Sequence, residues 1–183
     1  MIPIMLDPAL VHVAVCGEGA LTVRRVQWLR NCGAEPVIYA PLPSAELWAI
    51  GEGKIIDRLP ITSDFDGLAA IWIADFGDAV ANPLAEAARI AGVLANVEDV
   101  LHNCDFHTPA VIHRGRLTIA IGTGGASPAI ASILRQRLET SFPMAWAALL
   151  DDIATERIEL KAQGAAFAEL IGAAKAKLAM SGL

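Results

Sequence analysis

Short apolar runs alternate with segments whose apolar residues recur at helical spacing, throughout the part of the chain before Asp99. After a lead-in at Pro3 to Pro8, Val11 to Cys16 is the first run, apolar enough for a strand buried on both faces. Leu21, Val26 and Leu29 then fall on one helical stripe, which predicts a helix from about Ala20 to Asn31, stopped by Gly33. The same reading gives a strand at Pro36 to Ala40, broken by Pro41-Leu42-Pro43, and a short helix at Ser44 to Ile50. Lys54 to Leu59 is a third strand and Asp64 to Gly67 a turn. Leu68 to Ala74 is a strongly apolar strand, Pro83 to Ala91 a helix closed by Gly92, and Val93 to Val97 the next strand. Strand and helix in alternation predict an α/β fold: a Rossmann-type parallel sheet with helices on both faces. In such a sheet the ligand lies beyond the carboxyl ends of the strands, where Gly17, Tyr39, Asp75 and Asn96 to Asp99 would converge.

The pattern changes after Asp99. Pro109 to His113 and Leu117 to Ile121 are strand-like and joined by Arg114-Gly115-Arg116, which predicts a hairpin. A glycine-rich run, Gly122 to Pro128, leads into a helix from about Pro128 to Glu139, with Ser127 as its cap and Pro128 in its first turn. From Pro143 onward the chain is alanine-rich and helical, with a break near Gln163-Gly164. Three regions follow: 1–98, 99–141 and 142–183.

Composition narrows the class. The hydrophobic fraction is 55% and the charged fraction 19%, which fits a well-buried core and an apolar interface between subunits. No apolar run approaches the ~20 residues of a membrane span. The start of the chain lacks a basic segment and does not read as a signal peptide. Cys16, Cys32 and Cys104 are odd in number and far apart, which argues for a reducing, cytoplasmic setting and against a disulfide framework. A net charge of −6 gives no electrostatic support for nucleic-acid binding.

The candidate chemistry begins at Gly17-Glu18-Gly19. Strand, glycine turn and helix are the layout that holds a dinucleotide pyrophosphate at a helix N-terminus. Thr22 stands at the third small position, where Gly or Ala is usual. The acid that often ends the second strand to bind a ribose is missing, since Tyr39, Ala40 and Pro41 are there, and no arginine replaces it. Gly124 and Gly125 ahead of Ser127 could hold an anion or simply form a turn that needs glycine. His102, Cys104, Asp105 and His107 form a local polar cluster of metal-ligating residue types, although their spacing fits no structural zinc site.

These stretches resemble the precorrin-2 dehydrogenases of siroheme synthesis, the module also found fused in siroheme synthases, some of which are ferrochelatases. The resemblance rests on Met1-x-Pro-x-x-Leu-Asp7, Gly17-x-Gly19 with Arg24-Arg25, and Ala85-Glu-Ala-Ala-Arg89. It continues through Asn96-Val-x-Asp99, Cys104-Asp-Phe106 and the run from His113-Arg-Gly-Arg to Thr123-Gly-Gly-Ala-Ser-Pro128, the most specific stretch. It implies a Rossmann-type domain, a small α+β dimerisation region and a helical domain. It also implies a homodimer that passes a hydride from a partly reduced tetrapyrrole to NAD.

By that resemblance Asp99 is the catalytic acid–base group. The cofactor would lie on Gly17, Gly19, Ala20, Leu21, Ala40, Pro41, Ala74 and Asp75. Substrate carboxylates would meet Arg114, Gly124, Gly125 and Ser127, with Arg24, Arg25 and Arg116 as further cations, while Arg135 reads better as part of a solvated face. His102, Cys104 and His107 would receive a metal before chelation. Three positions depart from the family pattern: Glu18 replaces a glycine, Asp75 a threonine, and Gly122 a frequent serine. These departures keep two rivals to the NAD-dependent dehydrogenase in view: a sirohydrochlorin chelatase with weak or lost dehydrogenation, and a tetrapyrrole-binding module with no turnover.

Overall fold

In the computed structural model, which describes residues 1–183, β1 (His12–Cys16) runs through the centre of a five-stranded sheet. Its last four residues are buried, as the unbroken apolar run predicts. β2 (Val37–Tyr39) and β3 (Ile55–Ile56) lie on one side of it, β4 (Leu68–Ile73) and β5 (Leu94–Val97) on the other, in the order β3-β2-β1-β4-β5. Every pairing is parallel, with Val15 in register with both Ile38 and Trp72. Parallel strands need crossover connections, here three helices together with a 3₁₀ turn between β3 and β4, and the two faces are covered separately. On one face α1 (Ala20–Asn31) and α2 (Ala45–Gly51) place Val23, Val26, Leu29 and Leu47 against Val13, Val15 and Trp72. On the other α3 (Asp78–Ile90) places Ala81, Leu84, Ala85 and Ala88 against Ala14, Cys16, Ile71 and Ile73. Alternate residues of β1 thus feed two cores.

Two elements differ from the periodicity reading. α3 begins at Asp78 and carries Pro83 inside it, rather than starting at Pro83. Gly77 caps it in an extended conformation, and its carbonyl accepts from the Val80 and Ala81 amides. Burial of Ala81 and Leu84 on the sheet outweighs the bond that proline removes. β3 keeps only Ile55 and Ile56, because the Arg58 amide turns back to the Ile56 carbonyl.

The chain divides into two compact units, Met1–His107 and Thr108–Leu183. The first boundary thus falls beyond 98, and the hairpin and helical regions belong to one unit. The segment after β5 stays with the sheet because Asp105 is bonded to Ala95 in both directions, amide to carbonyl and amide to carboxylate, at 2.8 and 2.9 Å. The Phe106 ring also stands edge-on to Trp72, 4.9 Å between centroids.

In the second unit β6 (Ala110–Arg114) and β7 (Leu117–Ile121) form the expected antiparallel hairpin. Gly115 has φ 58°, and a Cβ there would stand 3.0 Å from the Ala147 methyl. The hairpin packs with α4 (Pro128–Ser141) and α5 (Ala145–Ala162), and α5 packs on α6 (Phe167–Ser181). No helix is long and apolar enough to cross a membrane.

Candidate functional site

At the carboxyl end of β1 the backbone is too crowded for a side chain. A Cβ on Gly17 would lie 1.9 Å from Thr22 Oγ1 and 2.5 Å from the Ala74 carbonyl oxygen. The turn therefore needs glycine for close approach, as a dinucleotide cradle does. Gly19 caps α1 in an extended conformation and brings no side-chain cap of its own. The orphan amides of that helix are met instead by Asp75, from the end of β4. Asp75 Oδ2 accepts from the Gly19 amide at 2.9 Å, the Thr22 amide at 2.9 Å and the Thr22 hydroxyl at 2.7 Å, and Oδ1 accepts from the Leu21 amide at 3.3 Å. Burial alone would raise the Asp75 pKa, but the bonds from Thr22, Leu21 and Gly19 together outweigh it and the net shift is downward. Asp75 holds this place with φ 62°, in the left-handed region.

Glu18 points away from the turn. Its carboxylate accepts from the Leu42 amide at 3.0 Å, and its carbonyl accepts from the Ser44 amide at 2.8 Å. An acid thus lies beside the segment after β2, next to Ala40 and Pro41, although that strand end has none of its own. Cys16, buried below the turn, has its thiol pushed up to about 12, first by burial and then by Glu18, so it is inert.

Asp99 follows β5 at the same edge of the sheet. It is exposed, has φ 62°, and its side chain makes no hydrogen bond or ion pair. A turn-forming or capping aspartate would show such a bond. The segment around it is fastened elsewhere. The buried Asn96 donates to the Phe106 carbonyl at 2.8 Å, and the Cys104 thiol lies 3.1 Å from the Val97 carbonyl. Arg89 on α3 forks onto Asp105 at 2.9 Å and onto Asn103 Oδ1 at 2.9 Å, while Asn103 donates to Asn82 at 2.7 Å. Arg89, Asn96 and Asp105 stand in the sequence as separate motif residues, and only the fold joins them into one clamp. Their joint presence around Asp99 was the available signal.

The expected metal cluster is corrected. No group of three or more His, Cys, Asp or Glu side chains is placed to hold a metal. Cys104 turns its thiol to backbone carbonyls, and burial first raises its pKa. Asp105 is held by Arg89, so His102, Cys104 and His107 form no joint ligand set.

The arginines are largely committed within the chain. Arg25 pairs with Glu98 and lies over Trp28, 5.1 Å from the ring centre. In the second unit Arg114 donates to the Phe142 carbonyl at 2.7 Å and to the His113 carbonyl at 2.8 Å, tying β6 to the end of α4. Arg116 pairs with Asp151 and Arg135 with Glu139. Gly124 and Gly125 have φ 63° and 84°, so this turn requires glycine. Ser127 caps α4 through the Ile130 amide at 3.3 Å, and Thr123 bonds Ser127 in both directions.

Comparison with known proteins identifies the family. Residues 4–110 match the model described as putative NAD(P)-binding, and residues 114–141 match that described as sirohaem biosynthesis protein, central. The chain belongs to the putative NAD(P)-binding family of the first model. Its relatives include the siroheme synthases of Nitrosococcus oceani, 35% identical over 164 residues, and Thiobacillus denitrificans, 32% identical over 151 residues. These alignments cover 87% and 81% of this chain but 35% and 32% of the relatives, so the chain spans about a third of their length. The solved structure of SirC, a precorrin-2 dehydrogenase, shares the fold with a TM-score of 0.69 at 22% identity, over 96% of this chain and 88% of that one. The resemblance and the fold class read from the sequence are both borne out.

Membership of a putative NAD(P)-binding family calls for a dinucleotide cradle, and the close-packed glycine turn ahead of α1, at Gly17 and Gly19, fits one. Asp75 fits in a different sense: its carboxylate lies on the same amides a pyrophosphate would use.

Proposed function

We propose that this chain dehydrogenates precorrin-2 to sirohydrochlorin with NAD as hydride acceptor. The observation that carries the reading is Asp99: an exposed, unbonded carboxylate in left-handed backbone at the carboxyl end of β5, held there by a clamp of family-motif residues. Left-handed non-glycine residues concentrate at functional sites, and ligands of such sheets bind at this edge. The family membership and the names of the relatives support the tetrapyrrole as substrate. A nicotinamide dinucleotide held at Gly17 and Gly19 would supply the acceptor for a hydride from a substrate carbon. Asp99 would accept the proton lost with it and release that proton to water, so that two electrons and two hydrogens leave the substrate. Glu18, set beside the end of β2, favours NAD, because an acid there repels the 2′-phosphate of NADP.

The second reading, a chelatase or a tetrapyrrole-binding module without turnover, is favoured by the placement of Asp75. An anaerobic assay of precorrin-2 oxidation, following NADH and sirohydrochlorin together, separates the two. Turnover that falls about a hundredfold or more in Asp99→Ala, with NAD affinity unchanged, supports the dehydrogenase. Absence of turnover in a protein that binds sirohydrochlorin would move the assignment to the second reading. We further propose a homodimer formed through the second unit, and a cytoplasmic setting consistent with three free cysteines.

A further inference from the structure

We propose that Asp75 is a built-in competitor for the cofactor: its carboxylate is the anion that the glycine turn and the N-terminus of α1 hold until a dinucleotide pyrophosphate displaces it. This rests on the dinucleotide reading of the turn given above. The contacts are those an incoming phosphate would make, with the amides of Gly19, Leu21 and Thr22 converging on one carboxylate. Two departures, Thr22 from the small third position of such turns and Asp75 from the family's threonine, meet each other at 2.7 Å. Thr22 is fully buried, so the bond to Asp75 is the one its hydroxyl donates. Asp75 adopts left-handed backbone, a conformation that costs energy outside glycine. That cost is offset by four hydrogen bonds to one charged group.

The competitor is displaceable. Asp75 is exposed and outside both cores, so swinging it away opens no cavity. No lysine or arginine pairs with it, and Arg25, one helical turn beyond Thr22, is engaged by Glu98. A pyrophosphate arriving beside an ionised Asp75 meets a carboxylate whose charge no ion pair offsets. Asp75 therefore sets how much dinucleotide the turn holds, and a neutral residue there opens it.

The test is calorimetric titration of NAD into the wild-type protein, Asp75→Asn and Asp75→Thr, with thermal melting as a check on folding. Asp75→Asn is nearly isosteric and keeps the experiment decisive should Asp75→Thr fold poorly. The inference expects both variants to bind NAD more tightly than wild type, by at least about tenfold for Asp75→Thr, a difference of about 1.4 kcal/mol. It also expects the Gly19 and Thr22 amide resonances of the wild type to move on NAD addition. Equal or weaker binding in both variants overturns it and makes Asp75 a structural cap or a cofactor ligand. The precorrin-2 assay run on the same proteins keeps the two proposals apart. Tighter NAD binding without turnover in any of the three proteins upholds the competitor and removes the dehydrogenase reading. Unchanged affinity with turnover does the reverse.

Discussion

Asp75 and Asp99 occupy equivalent places, each just past the end of a strand and each with φ 62°, yet they do opposite things. Asp75 is tied down by four hydrogen bonds, whereas Asp99 has none. A residue type alone does not separate them, because aspartate is among the side chains that best tolerate the left-handed region. Gly17 is more constrained than either. Gly17→Ala is expected to destabilise the first unit by about 1–3 kcal/mol, read as a lowered denaturant midpoint. Adding Thr22→Ala should recover only part of that loss. The double variant removes the contact at 1.9 Å but leaves the one at 2.5 Å with backbone that cannot step aside. Full recovery in the double variant would mean that the Ala74 carbonyl moves freely.

Between β3 and β4 a 3₁₀ turn, Thr62–Phe65, shows how one acid holds an element. Asp64 accepts from the Ile61 amide at 2.7 Å and from Arg58 at 3.0 Å. Chiefly through Arg58, its pKa falls from 3.8 to about 2. A folded-state pKa below the unfolded value means stability that is complete above the unfolded pKa and lost as pH falls through the folded one. Asp75, also shifted downward, acts with the same sign. Thermal stability is therefore expected to hold above about pH 5 and to decline between about pH 4 and pH 2. Asp64→Asn should make that decline shallower, measured by melting at a series of pH values. An identical slope in the variant would show that Arg58 and Asp64 do not hold the turn together in solution. Apolar periodicity marks this stretch only as a turn, because the ion pair closes across residues with no helical or strand spacing.

At the scale of the molecule, the two units differ in how well each buries itself. The first has a sheet covered on both faces. In the second, only Ile112, Ala131, Leu149 and Leu170 are buried, and its sheet has two strands. Such a small sheet is marginal by itself. On α4, Ile130, Ile133 and Leu134 share a helix face and are 49%, 43% and 38% exposed. A second copy covering that face accounts for all three observations. Sedimentation velocity is expected to show a dimer, and Ile133→Glu to shift it toward monomer with the first unit still folded. A wild-type monomer at micromolar concentration would remove the proposal.

Much of this was legible in the order of the residues, for a definite reason. Apolar spacing, capping serines and positive-φ glycines act within a few residues, so α1, β1, β7, the Ser127 cap and the break near Gly164 lie where local pattern put them. The glycine turn was visible too, since its strand and helix adjoin it in the chain. Other features depend on groups far apart in the chain. The bond from Asp75 to Gly19 spans 56 residues, and the salt bridge from Arg25 to Glu98 spans 73. The unit boundary moved past 98 because Asp105 and Phe106 attach to β5 and β4, and the metal cluster dissolved because Cys104 and Asp105 found partners within the fold. Local hydrogen bonding and side-chain period are written into neighbouring residues, but which carboxylate fills an anion site is decided by the packing that brings two strand ends together.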